Sequence, residues 1–202
     1  TQRWHEFVEP DRLDGLVAAI ASMPPDLLAQ DVRSSLGAGA VLLVWGDSAS
    51  AADFFDSGCV QSDPCARATA AALLAHSTWW STAPEQALDM VEAAEDVLDT
   101  VPGAALVPVV GFETFTTGRS MLIVSRARAL AMTGQLADAA QLLNFLPRVR
   151  RDDPVSESVS AWSTKALVDA LTGDVISATD ALEMAMALAQ GGGWNSTVSV
   201  AP

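Results

Sequence analysis

The chain has 202 residues, half of them apolar, with no Tyr and only six Phe. That is enough material for a buried core, in a composition that favours helix over sheet. Eleven Lys and Arg face 25 Asp and Glu, a net charge of −14, which argues against gripping a phosphate backbone or an anionic membrane; no apolar run approaches the ~18 residues of a spanning helix.

The opening "TQRWHEF" lacks Met and the basic-then-apolar pattern of a signal peptide. Together with the abrupt end "TVSVAP" it reads as the edge of a segment from a longer cytoplasmic protein. A first helix is expected from about Asp11 to Ser22. Four helix pairs are then expected, at Val32–Gly58, Asp63–Thr100, Thr117–Pro147 and Val155–Gln190.

Each pair is marked by a break and a small residue five places on. "GDSASAADFF" runs from Gly46 with Ala51, "GQLADAAQLL" from Gly134 with Ala139, and "GDVISATDAL" from Gly173 with Ala178. A weaker copy, "TAPEQALDMV", starts at Thr82 with Ala87, and its Pro84 suits the first position of a helix. Glycine inside a helix costs about 1 kcal/mol relative to alanine, so its recurrence marks turns. A left-handed glycine lets the chain leave the first helix, and the Ala lets the second pack closely.

The flanks carry helical stripes. Leu136, Ala139, Ala140, Leu143 and Leu146 follow one break; Val155, Val159, Trp162, Ala166 and Ala170 precede the next. Val175, Ala178, Leu182, Ala185 and Ala189 form the last stripe. The breaks lie 36, 52 and 39 residues apart, and two of these spacings match helix–turn–helix repeats of about 34–47 residues. The longest spacing contains an insertion, "VPGAALVPVVGFETFTTG", Val101–Gly118, rich in Gly, Pro and Thr. Since no pair buries its stripe alone, neighbouring pairs must stack. The expectation is an all-α protein: one helical-repeat domain over residues 1–202, an α-solenoid of stacked helix pairs, tetratricopeptide-like but with a longer period.

Between the first two pairs, "CVQSDPC" holds Cys59 and Cys65. A disulfide is geometrically possible, but two cysteines without a secretory signal fit reduced cytoplasmic thiols better.

Three motifs carry a family resemblance: "LVAAIASMPPDLLAQDVRSSLGAGAVLLVWGDSASA", Leu16–Ala51; "RARALAMTGQLADAAQLL" from Arg126; and "ALAQGGGW" up to Trp194. Their order resembles the helical-repeat region of LuxR-type bacterial transcriptional regulators related to the maltose-regulon activator. The resemblance spans about Leu13 to Trp194, and its motifs are mainly structural; the 52-residue spacing departs from it. It implies a nucleotide-binding switch domain before this segment and a DNA-binding helix-turn-helix after it. Within the segment there is neither a GxxxxGK[ST] loop nor a basic recognition helix.

Residue constellations for chemistry are sparse. His5 and His76 stand in neither a HExxH nor a CxxC context, so no metal site is expected. The cysteines have no neighbouring His, and no G-x-S-x-G elbow occurs. Glu92, Glu95 and Asp96 read as a solvated helix face, and "RVRRDDP", Arg148–Pro154, as a charged linker. No cofactor and no catalysis are expected.

Trp45, Trp79, Trp80 and Trp162 all fall on first helices of their pairs, the helices that line the concave face of such superhelices. One reading makes them packing between repeats; the other makes the inner face a binding surface. On the second reading the candidates are Trp80, Arg119, Arg126 and Trp162, with Val101–Gly118 covering the same region because it leads into the helix carrying Arg119 and Arg126. Aromatic faces and guanidinium groups would hold a small-molecule effector or a protein segment. The expected role is a non-catalytic sensor and interaction segment of a LuxR-type regulator; the alternative is a stand-alone helical scaffold for protein–protein interaction.

The charge predicts that this segment does not itself bind duplex DNA. Gel shifts at low salt and micromolar protein are expected to show no complex with random duplex; a salt-sensitive shift refutes this.

Overall fold

The computed structural model describes residues 10–77, 83–102, 106, 107, 109, 118–144 and 155–191. These contain eleven helices and no strand. In chain order they are α1 Pro10–Ser22, α2 Pro25–Leu28, α3 Val32–Trp45, α4 Ser48–Phe55, α5 Gly58–Ser62 and α6 Pro64–Ser77. There follow α7 Pro84–Asp99, α8 Gly118–Met132, α9 Leu136–Leu142, α10 Val155–Thr172 and α11 Val175–Gly191. None is long and apolar enough to cross a membrane. The short helices α2 and α5 were not expected from the sequence pattern: each is about one turn, too short to show a period. Outside the described residues lie His5, Trp79, Trp80, Thr82, most of Val101–Gly118, Arg148–Pro154 and Trp194.

The three glycine breaks share one geometry. Gly46, Gly134 and Gly173 have φ of 95°, 83° and 86°, all left-handed. At each, the glycine N–H donates three residues back: Gly46 to Leu43 O, Gly134 to Ala131 O, Gly173 to Ala170 O. The next N–H donates five residues back: Asp47 to Leu42 O, Gln135 to Leu130 O, Asp174 to Asp169 O. This is a Schellman ending, which satisfies the last carbonyls of the first helix.

Aspartates start two of the three helices that follow, whereas α9 starts after Gln135 without a side-chain cap. Asp47 accepts from Ser50 N at 3.0 Å and Asp174 from Ser177 N at 3.0 Å, while Asp31 caps α3 through Ser34 N at 2.8 Å. The repeated Gly-Asp-x-x-Ser of "GDSAS" and "GDVIS" is therefore an end and a start in five residues. These capping bonds hold all three carboxyls below the usual carboxylate range: the Ser50 hydroxyl contributes most at Asp47, the Ser34 and Ser177 amides at Asp31 and Asp174. At α7, Pro84 takes the first helical position after Ala83.

Contacts between helices are sequential. Within pairs, α3 packs on α4, α6 on α7, α8 on α9 and α10 on α11. Between pairs, α3 meets α6, α6 meets α8 and α8 meets α10, so first helices lie against first helices. The second helices α4, α7 and α9 also touch the first helix of the following pair. Three apolar clusters follow this order. Leu36, Ala40, Ala51, Phe55 and Leu73 join α3, α4 and α6. Val91, Ala94 and Leu98 join α7 to α6 and α8. Val124, Ala127, Ala139, Leu143 and Ala161 join α8, α9 and α10.

Small residues set the approach. Ala51, Ala87 and Ala139 are buried, whereas Ala178 of the last pair is only half-buried. At Gly39 a Cβ would fall within the ring of buried Phe55, so α3 and α4 meet through a missing side chain.

Gly134 has open space around its would-be Cβ, so a substitution there is penalised by backbone conformation alone. Gly134→Val is expected to lose about 1–3 kcal/mol, the scale of a residue held in a disfavoured region. Gly134→Asn loses markedly less, because Asn tolerates the left-handed region. Urea unfolding checks this; equal losses for Val and Asn would point to a steric cause instead.

Candidate functional site

The predicted arginines lie on the seam between α7 and α8. Arg119, in the first turn of α8, pairs with Asp99 at 2.5 Å, and both side chains are exposed. Two turns on, Arg126 sends Nη1 to Glu95 at 2.6 Å and Nη2 to Glu92 at 3.2 Å. The carboxylates form one stripe on α7 and the guanidinium groups one stripe on α8, as seven-residue spacing requires. Exposed pairs of this kind contribute about 0–1 kcal/mol each, so they set register more than stability.

Trp162 lies elsewhere. It is half-buried on α10 against the cluster of Val124, Ala127, Leu130 and Leu143. Trp80 lies outside the described residues. Arg119, Arg126 and Trp162 therefore do not converge on one point: two face α7 and the third packs in the α8–α9–α10 core. The described part of the insertion packs partly against α7 and α8, through Val101 and Leu106, and partly against α3, α4 and α6. Val109 is buried with the α3, α4 and α6 residues, Leu106 packs on the α6–α7–α8 cluster, and the Val107 N–H donates to Thr69 Oγ1 of α6 at 2.8 Å.

Sequence reasoning missed a polar cluster that does join three first helices. Arg128 of α8 is 5% exposed. Its Nε donates to Thr164 Oγ1 at 2.5 Å, and its Nη2 to Ser160 Oγ at 2.7 Å and Ser160 O at 3.1 Å, both on α10. One turn earlier, Ser125 of α8 meets His76 Nδ1 of α6 at 3.0 Å. Ser125 gives its hydroxyl proton to Met121 O at 2.8 Å, so Nδ1 carries a proton and donates to Ser125. The cluster thus runs His76–Ser125 from α6 to α8 and Arg128–Ser160–Thr164 from α8 to α10.

Burial sets the charge states. Desolvation brings the Arg128 guanidinium down to about 10, still a cation at neutral pH. His76 is pushed down to about 3, chiefly by burial and further by the Arg128 charge, so it is neutral. A base that weak, with its proton on the nitrogen facing Ser125, does not activate that hydroxyl. The arrangement instead offers hydrogen-bonding groups and one desolvated cation fixed in place by two helices. Its sequence signal was the alternation in "SRARA": Arg126 and Arg128, about 200° apart on a helix, must look in nearly opposite directions, and Ser160 and Thr164 place two hydroxyls one turn apart.

Among the described residues no group of three or more His, Cys, Asp or Glu is placed to hold a metal ion. Cys59 and Cys65 are free thiols; Cys59 Sγ lies 3.4 Å from Ser57 Oγ and 3.6 Å from Ser35 Oγ. No protein-family model, curated protein or solved structure matches the chain.

The depressed His76 makes stability depend on pH with a definite sign. The unfolded state takes up this proton near pH 6.5 and the folded state only near 3, so stability is full above the unfolded value and falls as pH drops. The limiting slope is about 1.4 kcal/mol per pH unit. The capping aspartates titrate below this window, because their carboxyls are held under 3.8. Urea melts between about pH 7 and about pH 5 are expected to lose roughly 1–2 kcal/mol, and His76→Gln to flatten that slope. An unchanged slope in His76→Gln would assign the titration to another group.

Proposed function

We propose that the chain is a non-catalytic sensor and protein-interaction segment of a LuxR-type bacterial transcriptional regulator, acting in the cytoplasm. It is read as an α-solenoid of tetratricopeptide-like pairs, whose first helices α3, α6, α8 and α10 form one continuous inner face. The observation that carries this reading is the run of contacts between successive first helices. The His76–Ser125 and Arg128–Ser160–Thr164 bonds tie three of those helices together. A face whose helices are tied by polar groups is suited to a ligand that changes their spacing, because those bonds have discrete alternatives.

The proposed partner is a small-molecule effector or a protein segment, with no direct nucleic-acid contact by this part of the protein. Trp80, Arg119, Arg126 and Trp162 remain the proposed recognition residues. The order of motifs, from "LVAAIASMPPDLL" to "ALAQGGGW", supports the regulator over the scaffold.

Two experiments test the reading. The coding sequence on either side is expected to specify a phosphate-binding loop upstream and a helix-turn-helix downstream; finding neither leaves the scaffold. In the full-length regulator, Arg126→Ala is expected to abolish a reporter response while lowering Tm by no more than about 4–8 °C, the effect of losing its pairs with Glu92 and Glu95 at up to about 1 kcal/mol each. A response that survives the double change Arg119→Ala and Arg126→Ala places the recognition site elsewhere.

A further inference from the structure

One stretch of the chain runs against the order of the pairs. Helices α7 and α8 follow one another, yet the chain between them returns over α6 toward α3. Val101 is buried with residues of α6, α7 and α8, and Leu106 packs on that same cluster. Val107 and Val109 pack instead on the cluster of α3, α4 and α6, where Val109 is 4% exposed. Leu106, Val107 and Val109 belong to no helix or strand. Among the described residues, a single hydrogen bond joins this run to the helices, from the Val107 N–H to Thr69 Oγ1 at 2.8 Å.

The composition of α6 suits it to receive an extended segment. Its buried side chains are mostly small, Ala66, Ala68, Ala70, Ala72 and Ala75, so another backbone can lie close to it. Thr69 interrupts these alanines, is buried, and gives its own proton to Cys65 O at 2.7 Å. Its lone pairs are left as acceptors for an N–H from elsewhere. Such a contact reads backbone rather than side-chain identity, and the apolar clusters on either side read aliphatic bulk. Thr69 and His76 are seven residues apart and share one face of α6. The run therefore lies on the face that also carries the His76–Ser125 bond.

We propose that Leu106, Val107 and Val109 form an internal strap occupying a peptide seat on α3 and α6, which an extended apolar segment of a partner protein takes in its place. The partner supplies aliphatic side chains where Leu106 and Val109 lie, and one backbone N–H for Thr69. The strap itself is the template for that chemistry. Being tethered, it competes at an effective concentration of about millimolar, which holds the seat closed to weak partners. The proposal rests on the reading of the first helices as a binding face. Its measurements use this chain alone, so their outcome is separate from that of the reporter response.

Two measurements decide it. Native-state hydrogen exchange compares the Val107 amide with the Ala72 and Leu98 amides of α6 and α7. Val107 is expected to open at least about a hundredfold more often, as a segment that leaves without unfolding the core must. Equal protection overturns the proposal. The second measurement titrates a labelled peptide of residues 104–111, "AALVPVVG", by fluorescence anisotropy. The hosts are the wild type and a triple variant, Leu106→Ser, Val107→Gly and Val109→Ser, checked for folding by circular dichroism. The triple variant is expected to bind saturably and at least about tenfold more tightly than the wild type. Adding Thr69→Val to it is expected to weaken binding on the order of fivefold, the loss of one hydrogen bond. A triple variant that unfolds makes the run part of the core and overturns the proposal. So does one that folds without binding at millimolar peptide, one that binds no better than the wild type, or binding indifferent to Thr69→Val.

Discussion

The structure depends on one constraint: a helix of about fifteen residues with a single apolar stripe is not stable until another helix covers that stripe. The chain meets it by folding helices back on one another, and three of the four fold-backs use a residue at φ near 90°. Gly46, Gly134 and Gly173 supply it. Without that left-handed residue the orphan carbonyls of α3, α8 and α10 would lack their capping N–H groups, and the second helix would leave in the wrong direction. Everything after the turn follows from it. An aspartate cap starts the next helix after Gly46 and Gly173, a small residue lets it lie close, and the residue nine places on is covered by the following pair at Phe55 and Leu143.

That arrangement produces two kinds of surface between pairs. Where α7 meets α8 the rim is charged, with Glu92, Glu95 and Asp99 on one helix and Arg119 and Arg126 on the other. Such exposed pairs define which helix lies where more than they stabilise it. Where α6, α8 and α10 meet, a buried polar cluster is set among the apolar contacts. Arg128 is held without loss of its charge because its N–H groups are matched by hydroxyls and a carbonyl at short range. A cation buried in this way is costly to desolvate, and its hydrogen bonds make the relative position of α8 and α10 specific. His76 answers the same field by remaining neutral. The cluster therefore joins α6, α8 and α10 through directional bonds that an apolar contact would lack.

Much of the fold was legible in the sequence because its signals are local. A glycine, an Ala at fixed distance and a 3.6-residue stripe are all read within one helix turn or two, and α3 and α4, α8 and α9, and α10 and α11 meet at those glycines. The insertion's path was not legible, since its Val109 is buried against residues more than thirty positions earlier. Nor was the choice between Arg126 and Arg128. Both sit in "SRARA", both suit a helix, and nothing within the helix says which direction faces a neighbour. One ended in an exposed acid pair and the other in the buried seam.

The sequence by itself determined the helical class, the position of the breaks, the acidic surface and the pairing of adjacent helices, because propensity, φ preference and net charge are properties of residues and their immediate neighbours. Only the tertiary structure decided which side of each helix is inward. It buried Arg128 and left Arg126 on a rim, brought His76 and Thr164 to α8 residues one turn apart, and left Leu182 open where Phe55, Val91 and Leu143 are closed. The physical reason is that burial and pKa depend on what lies across the gap between elements, and that neighbour is supplied by residues far away in the chain.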